Sequence, residues 1–291
     1  MLNHQPDDRV VDRDRDRMIC VDGRNVHVVE NGPPSAPALL LIHGFASSTI
    51  WWASLVPELA QHHHVIRVDL LGHGRSDSPA DGYTIGEQGR LVGSVLTQLG
   101  VDRVIVIGHS TGGMVATALA EQRRDLVAAM VLIATGPSSG AFIPQNALYR
   151  LMFVPLIGPL LWRLRTEAAI RKGLSTAFTA DVDIPAQIIA DVRAMRYRAF
   201  SATPKETMKY VAQRSIPARL AELTIPALVV FGALDRRWRS SSGAEYGFLP
   251  DVDVEIIPGA GHSPMIEAPG RTVQLLGDFI TTVTGQHRGR D

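Results

Sequence analysis

Ile105-Val106-Ile107-Gly108-His109-Ser110-Thr111-Gly112-Gly113-Met114-Val115-Ala116 joins an apolar, β-branched run to a small-residue run through a Gly-x-Ser-x-Gly turn. The pattern predicts a strand, a very tight turn with serine at its apex, and a helix reaching about Ala120. A serine hydroxyl is a weak nucleophile until a base takes its proton. A sharp turn lifts that hydroxyl clear of the sheet, where both base and substrate reach it. It also leaves no room for side chains two residues to either side, hence Gly108 and Gly112. The helix that follows aims its unpaired N–H groups at the place where negative charge would develop.

The alternation extends in both directions. Met18–Val21 and Asn25–Glu30 read as a hairpin about Asp22-Gly23. Ala38–Ile42, Val65–Asp69, Val104–Ile107, Ala128–Ala134 and Ile225–Phe231 are strand patterns of the kind buried on both faces, and Val252–Ile257 gives one more. Helices are expected from Trp51 to Gln61, Ile85 to Gly100 and Pro269 to Thr284. From Pro137 to Ser215 the strand rhythm stops and helical patterns remain. The reading is an α/β fold: a mostly parallel sheet with helices on both faces, in a core of residues 18–136 and 216–291. Residues 137–215 form a helical lid over one end of the sheet. In open α/β sheets the ligand crevice lies at the carboxyl ends of the strands, and each motif below follows a strand.

At 45% hydrophobic and 20% charged, the 291 residues can bury a sizeable core. Zero formal net charge gives no global attraction to nucleic acid. Cys20 is the only cysteine, so no internal disulfide and no Cys-based zinc site can form, and a cytoplasmic location is expected. Residues 1–17 alternate Asp and Arg without an apolar signal core and are expected to be a disordered tail. No apolar run approaches the roughly 20 residues of a transmembrane segment.

An activated serine needs a histidine, and the histidine an orienting carboxylate. His43 and His73 precede glycines in loops after strands. His109 adjoins the serine and is expected to point away. His62-His63-His64 precedes a strand and reads as surface. His262 remains, in Pro258-Gly259-Ala260-Gly261-His262-Ser263-Pro264 after the last strand. For the carboxylate, Ile225–Phe231 runs into Gly232-Ala233-Leu234-Asp235, whereas Ala128–Ala134 ends in Thr135-Gly136 with no acid. Asp69 precedes the serine strand and reads as a residue shaping its own loop. The candidate catalytic set is therefore Ser110, Asp235 and His262. The oxyanion donors are the N–H of Thr111 and, from His43-Gly44-Phe45, the N–H of Phe45.

These blocks, with Asp69-Leu70-Leu71-Gly72-His73-Gly74-Arg75-Ser76, span about residues 18 to 284. The chain resembles the α/β-hydrolase superfamily, in its lid-bearing branch of carboxylesterases, carbon–carbon bond hydrolases and cofactor-free haloperoxidases. The resemblance implies a serine hydrolase that cleaves a carboxylic ester of a small to medium, largely apolar small-molecule substrate through an acyl-enzyme, with no metal or organic cofactor. Cleavage of a carbon–carbon bond in a β-diketone or ring-cleavage product is the enzymatic alternative. A non-catalytic ligand-binding receptor is the alternative of another class. Epoxide hydrolases and haloalkane dehalogenases resemble this scaffold but carry an aspartate nucleophile, and Ser110 argues against both. Arg236-Arg237-Trp238-Arg239 departs from the apolar residues or proline that usually follow the acid. The lid, with eleven basic and five acidic residues and the apolar stretch Leu151–Trp162 broken by Pro and Gly, and these arginines together suggest a substrate with an apolar body and an anionic end, the alternative being a lid that packs on the core with a solvated basic face.

Overall fold

The computed structural model of the protein describes residues 14–145, 147–179, 182 and 184–288. Eight strands form one sheet: β1 (Arg15–Val21), β2 (Arg24–Asn31), β3 (Ala38–Ile42), β4 (His64–Val68), β5 (Val104–His109), β6 (Val127–Ile133), β7 (Ala227–Gly232) and β8 (Val252–Ile257). Their order is β1-β2-β4-β3-β5-β6-β7-β8. β2 runs antiparallel to β1 and β4, and the remaining neighbours are parallel. Residues 1–13 of the expected tail lie outside the described residues. Arg15, Asp16 and Arg17 open β1 instead, opposite Glu30, Val29 and Val28. Their charges are answered across the strands: Arg17 pairs with Glu30, and Asp16 meets His27 Nε2 at 3.1 Å. An alternating-charge segment thus becomes an edge strand. The hairpin turns at Asp22 and Gly23, whose φ angles of 51° and 74° match the right-handed twist of the flanking strands.

The helices are α1 (Val56–Leu59), α2 (Ile85–Gln98), α3 (Thr111–Gln122), α4 (Ala147–Leu151), α5 (Ile157–Arg163), α6 (Glu167–Leu174), α7 (Ala186–Ala194), α8 (Tyr197–Gln213), α9 (Ile216–Leu223), α10 (Pro264–Glu267) and α11 (Pro269–Arg288). Strand side chains alternate between two apolar layers, as a period of two requires. Leu40, Ile42, Val106 and Leu132 pack with α2 and α3, whereas Leu39, Leu41, Ile107 and Val131 pack with α1 and α11. Thr84 starts α2 through a reciprocal capping box with Glu87.

Two expectations change. The helix expected from Trp51 to Gln61 is a 3₁₀ turn, Thr49–Trp52, followed by the short α1. Pro57 has no N–H to continue a helix from the preceding turn, so it begins a new one. His64 is buried in β4, where Nε2 lies 2.8 Å from Glu30 Oε2. The histidine run is therefore not all surface, because strand pairing turns one of the three into the sheet.

Between β6 and β7 the described segments with regular structure are helical. The inserted α8 touches the start of α3, with Thr207 Oγ1 3.2 Å from Thr111 Oγ1. α9 returns to the core, where Arg219 and Tyr210 both hold Glu121 at the end of α3, each at 2.8 Å. Among the described residues no helix is long and apolar enough to cross a membrane.

Candidate active site

Ser110 sits between β5 and α3 with φ 52° and ψ −118°, outside the conformations a side chain tolerates easily. Such a residue costs about 1–3 kcal/mol and persists where its surroundings over-determine it. Here Ser110 N–H donates to Ile133 O at 2.8 Å, and Thr135 Oγ1 donates to Ser110 O at 3.2 Å. The flanking glycines permit the close approach. A Cβ on Gly108 would lie 2.5 Å from Gly113 Cα, and one on Gly112 only 2.2 Å from Ile42 O.

Asp235 follows β7 and His262 follows β8. The loops are stitched together: Leu234 N–H donates to Ala260 O at 2.9 Å and Ala233 N–H to Ile257 O at 3.0 Å. Asp235 Oδ2 meets His262 Nδ1 at 2.8 Å. Its other oxygen accepts the Arg237 and Trp238 amides at 2.7 and 3.1 Å. Burial pushes the Asp235 pKa up, but His262 and the two amides outweigh it and hold the carboxyl below its ordinary value. The carboxylate fixes the proton of His262 on Nδ1. That leaves Nε2 buried, without a hydrogen-bond partner among the described residues and with its lone pair free to accept a proton.

The loop after β3 comes against the serine. A Cβ on Gly44 would lie 3.2 Å from Ser110 Cβ. His43 sets the loop's orientation. Its Nε2 accepts the Leu70 amide at 3.0 Å, so Nδ1 carries the proton and donates to Gly44 O at 2.7 Å. A trans peptide points its N–H opposite its C=O. Anchoring Gly44 O therefore turns the Phe45 N–H away from His43. Burial keeps the His43 pKa below its usual value despite Asp69, which suits a fixed neutral tautomer. Asp69 holds several loops: it accepts from Thr49 N–H at 2.7 Å and Arg75 N–H at 2.9 Å, and meets His27 Nδ1 at 2.6 Å. The structure thus joins Asp235 with His262, sets Gly44 beside Ser110, and commits Asp69 to other loops.

His109 does not point away. Its ring lies 4.9 Å from that of His262 and stacks on Trp51, and its Nε2 meets His262 O at 2.8 Å. The reason is its place in β5, where position 109 shares the sheet face of Ile105 and Ile107. Burial and the neighbouring His262 push the His109 pKa well down, so the ring is neutral. Sequence reasoning also missed Glu267. It accepts the amides of Gly261 and Ser263, at 2.9 and 3.2 Å, and that of Thr179 from the insertion at 3.0 Å. No local pattern signalled it, since Glu267 lies four residues after Ser263, one beyond the capping-box spacing. Of the three arginines after the acid, Arg236 and Arg239 are exposed. Arg237 is half-buried, with Nε and Nη2 sharing Thr176 Oγ1 at 3.3 and 3.2 Å. Among the described residues no carboxylate forms an ion pair with it. Desolvation lowers its pKa, and its charge reaches both Asp235 and His109.

An open, mostly parallel sheet with a serine on a strained strand–helix turn and an Asp–His pair at two later strand ends defines a hydrolase of the α/β class. The chain belongs to the alpha/beta hydrolase family, whose model matches residues 39–275. It is 27% identical over 275 residues to the 2-(acetamidomethylene)succinate hydrolase of Mesorhizobium japonicum, covering 91% of this chain and 94% of that one. It is 25% identical over 277 residues to monoacylglycerol lipase abhd6-B of Xenopus laevis, covering 89% and 80%. The solved carboxylesterase CesB of Bacillus subtilis superposes with a TM-score of 0.76 at 20% identity, covering 92% and 91%.

Proposed function

We propose that this hydrolase is a serine esterase, cleaving a carboxylic ester of a small to medium, largely apolar molecule through an acyl-enzyme. The observation that carries the reading is the buried Asp235–His262 pair with Nε2 unpartnered, beside the residue that precedes a strained serine. Ser110 attacks the carbonyl while His262 Nε2 takes its proton. Asp235 holds the imidazole and stabilises it once charged. The Phe45 and Thr111 amides receive the oxyanion. Neither donates a hydrogen bond among the described residues. His262 returns the proton to the leaving alcohol, then draws one from water to release the acid.

The helical lid, 137–215, closes over this end of the sheet through Thr207 on Thr111 and Thr179 on Glu267. Arg237, whose guanidinium among the described residues bonds only to a threonine hydroxyl of the lid, suits a carboxylate at the far end of the substrate. Exposed Cys20, the only cysteine, suits a reducing cytoplasm.

Ser110→Ala should fold normally, lose about 10⁴-fold or more in ester turnover, and no longer form a covalent adduct with a fluorophosphonate probe. Retained turnover in the purified variant would refute the mechanism. No adduct on the wild type would favour a non-catalytic receptor. A panel of esters against β-diketones separates ester from carbon–carbon cleavage, which the same residues can perform.

A further inference from the structure

Among the described residues, six of the exposed large apolar side chains fall in one short segment: Leu151, Val154, Leu156, Ile157, Leu160 and Leu164. The others, such as Met18 and Phe248, are scattered over different elements. A surface helix ordinarily turns one apolar stripe inward and a polar face outward. α5 is apolar on both sides. Its inner side is Gly158 and Trp162. Trp162 stacks on Phe200 at 3.9 Å and donates Nε1–H to Met195 O at 2.9 Å. Its outer side is Ile157, Leu160 and, one turn on, Leu164, with Leu160 57% and Leu164 65% exposed.

The helix cannot roll to hide these residues. Trp162 is pinned, and a Cβ on Gly158 would already lie 2.2 Å from Met152 O. Leu156, at the entry to α5, is 89% exposed and has φ 67°. A bulky residue at positive φ is costly, and no packing within the protein offsets that cost.

The charge of the segment itself is one-sided, the first acid after it being Glu167, which pairs with Arg171 on α6. From residue 126 to residue 166 there is no Asp or Glu. Arg150 and Arg163 flank the apolar segment and are exposed, and Lys172 is exposed on α6. Arg165, by contrast, is folded back over Trp162 with its guanidinium carbon 4.0 Å from the ring centroid. Apolar side chains standing out between cations that form no ion pair among the described residues match the boundary of an anionic lipid leaflet, where acyl chains receive the leucines and headgroups the arginines.

We propose that the Leu151–Leu164 face docks on the surface of an anionic phospholipid membrane, lying in the interface rather than spanning it. The docking face backs onto the candidate active site through aromatic rings alone: Trp162 on Phe200 at 3.9 Å, then Phe200 on Phe45 at 5.5 Å. Docking therefore sets the loop that carries the Phe45 amide two aromatic rings, Trp162 and Phe200, beneath the lipid. The binding is independent of the catalytic reading and is measurable without turnover.

The test is co-sedimentation of the full chain with sucrose-loaded vesicles of dioleoylphosphatidylglycerol or of dioleoylphosphatidylcholine. Stronger partitioning into the anionic vesicles, weakening as salt rises, is expected. Leu156→Ser with Leu160→Ser should lower the partition coefficient about a hundredfold. Arg150→Gln and Arg163→Gln should lower it about fivefold each on anionic vesicles only. Melting temperature and turnover of a water-soluble ester should be unchanged in all of these variants. Equal, salt-insensitive binding to both lipids, or undiminished binding by the leucine variant, would overturn the proposal. So would a concentration-dependent dimer that the leucine substitutions abolish, which would assign the face to a second copy of the chain.

Discussion

Gly44→Ala tests the assignment of the Phe45 amide, and its magnitude follows from the geometry. The added methyl would lie 2.8 Å from His109 Nδ1, 3.1 Å from His109 O and 3.2 Å from Ser110 Cβ. The oxygen belongs to β5 in the centre of the sheet. The ring is held between Trp51 and His262 and by its contact with His262 O. The strand cannot yield, so the loop must. An ordinary contact is about 3.5 Å, which requires a retreat of about 0.7 Å from the His109 ring. A hydrogen bond to the oxyanion would lengthen from about 2.9 Å to about 3.6 Å and be largely lost. Losing one such donor typically costs about 3 kcal/mol of transition-state stabilisation, a fall in kcat of about 10²- to 10³-fold. KM should change little, because the oxyanion forms after binding. Steady-state kinetics on p-nitrophenyl butyrate, with circular dichroism to confirm an unchanged fold, gives the measurement. A folded variant within about threefold of the wild-type kcat would refute the placement of the donor.

Residues that act as a unit lose activity non-additively, so Asp235→Asn with His262→Ala should be little slower than His262→Ala alone. Multiplied losses in kcat/KM would remove Asp235 from the set. Arg237→Ala should raise KM about tenfold or more for an ester bearing a terminal carboxylate and spare a neutral ester of similar length, whereas exposed Arg236→Ala should affect neither. Equal KM changes for both esters would make Arg237 a clamp on Thr176 alone. The buried histidines predict acid sensitivity. Burial lowers the pKa of His43 and His109, and burial with His43 nearby lowers that of His73 to about 3. Below the unfolded value of about 6.5 the unfolded chain takes up protons that the folded chain does not, so stability is lost as pH falls. For His73 alone the loss approaches about 1.4 kcal/mol per pH unit between about 6.5 and the folded pKa. Urea titrations at pH 7 and pH 5 measure it, and equal midpoints would contradict neutral burial.

The strands along the chain and the choice of candidate residues came from the sequence because both rest on local chemistry. Ala38–Ile42 announces its strand by five consecutive apolar residues. Gly108, Ser110 and Gly112 announce a turn that other residues could not make. Asp235 and His262 were reachable because each follows a strand, and a parallel sheet gathers strand ends along one edge. Contacts across the fold were not legible. Nothing in the tail pattern of Asp and Arg showed that Glu30 and His27 would draw Arg15–Arg17 into the sheet. The contact of His109 with His262 joins residues 153 apart, and the hold of Glu267 on Thr179 joins residues 88 apart. Arg236, Arg237 and Arg239 are alike as a sequence, yet only the packing of the insertion decides that the middle one is turned inward. Hydrophobic patterning marks Leu151–Trp162 as apolar, but whether an apolar run is core or surface depends on which neighbours arrive to cover it. Those neighbours are distant in sequence, and here they cover Trp162 and leave Leu156 and Leu160 bare.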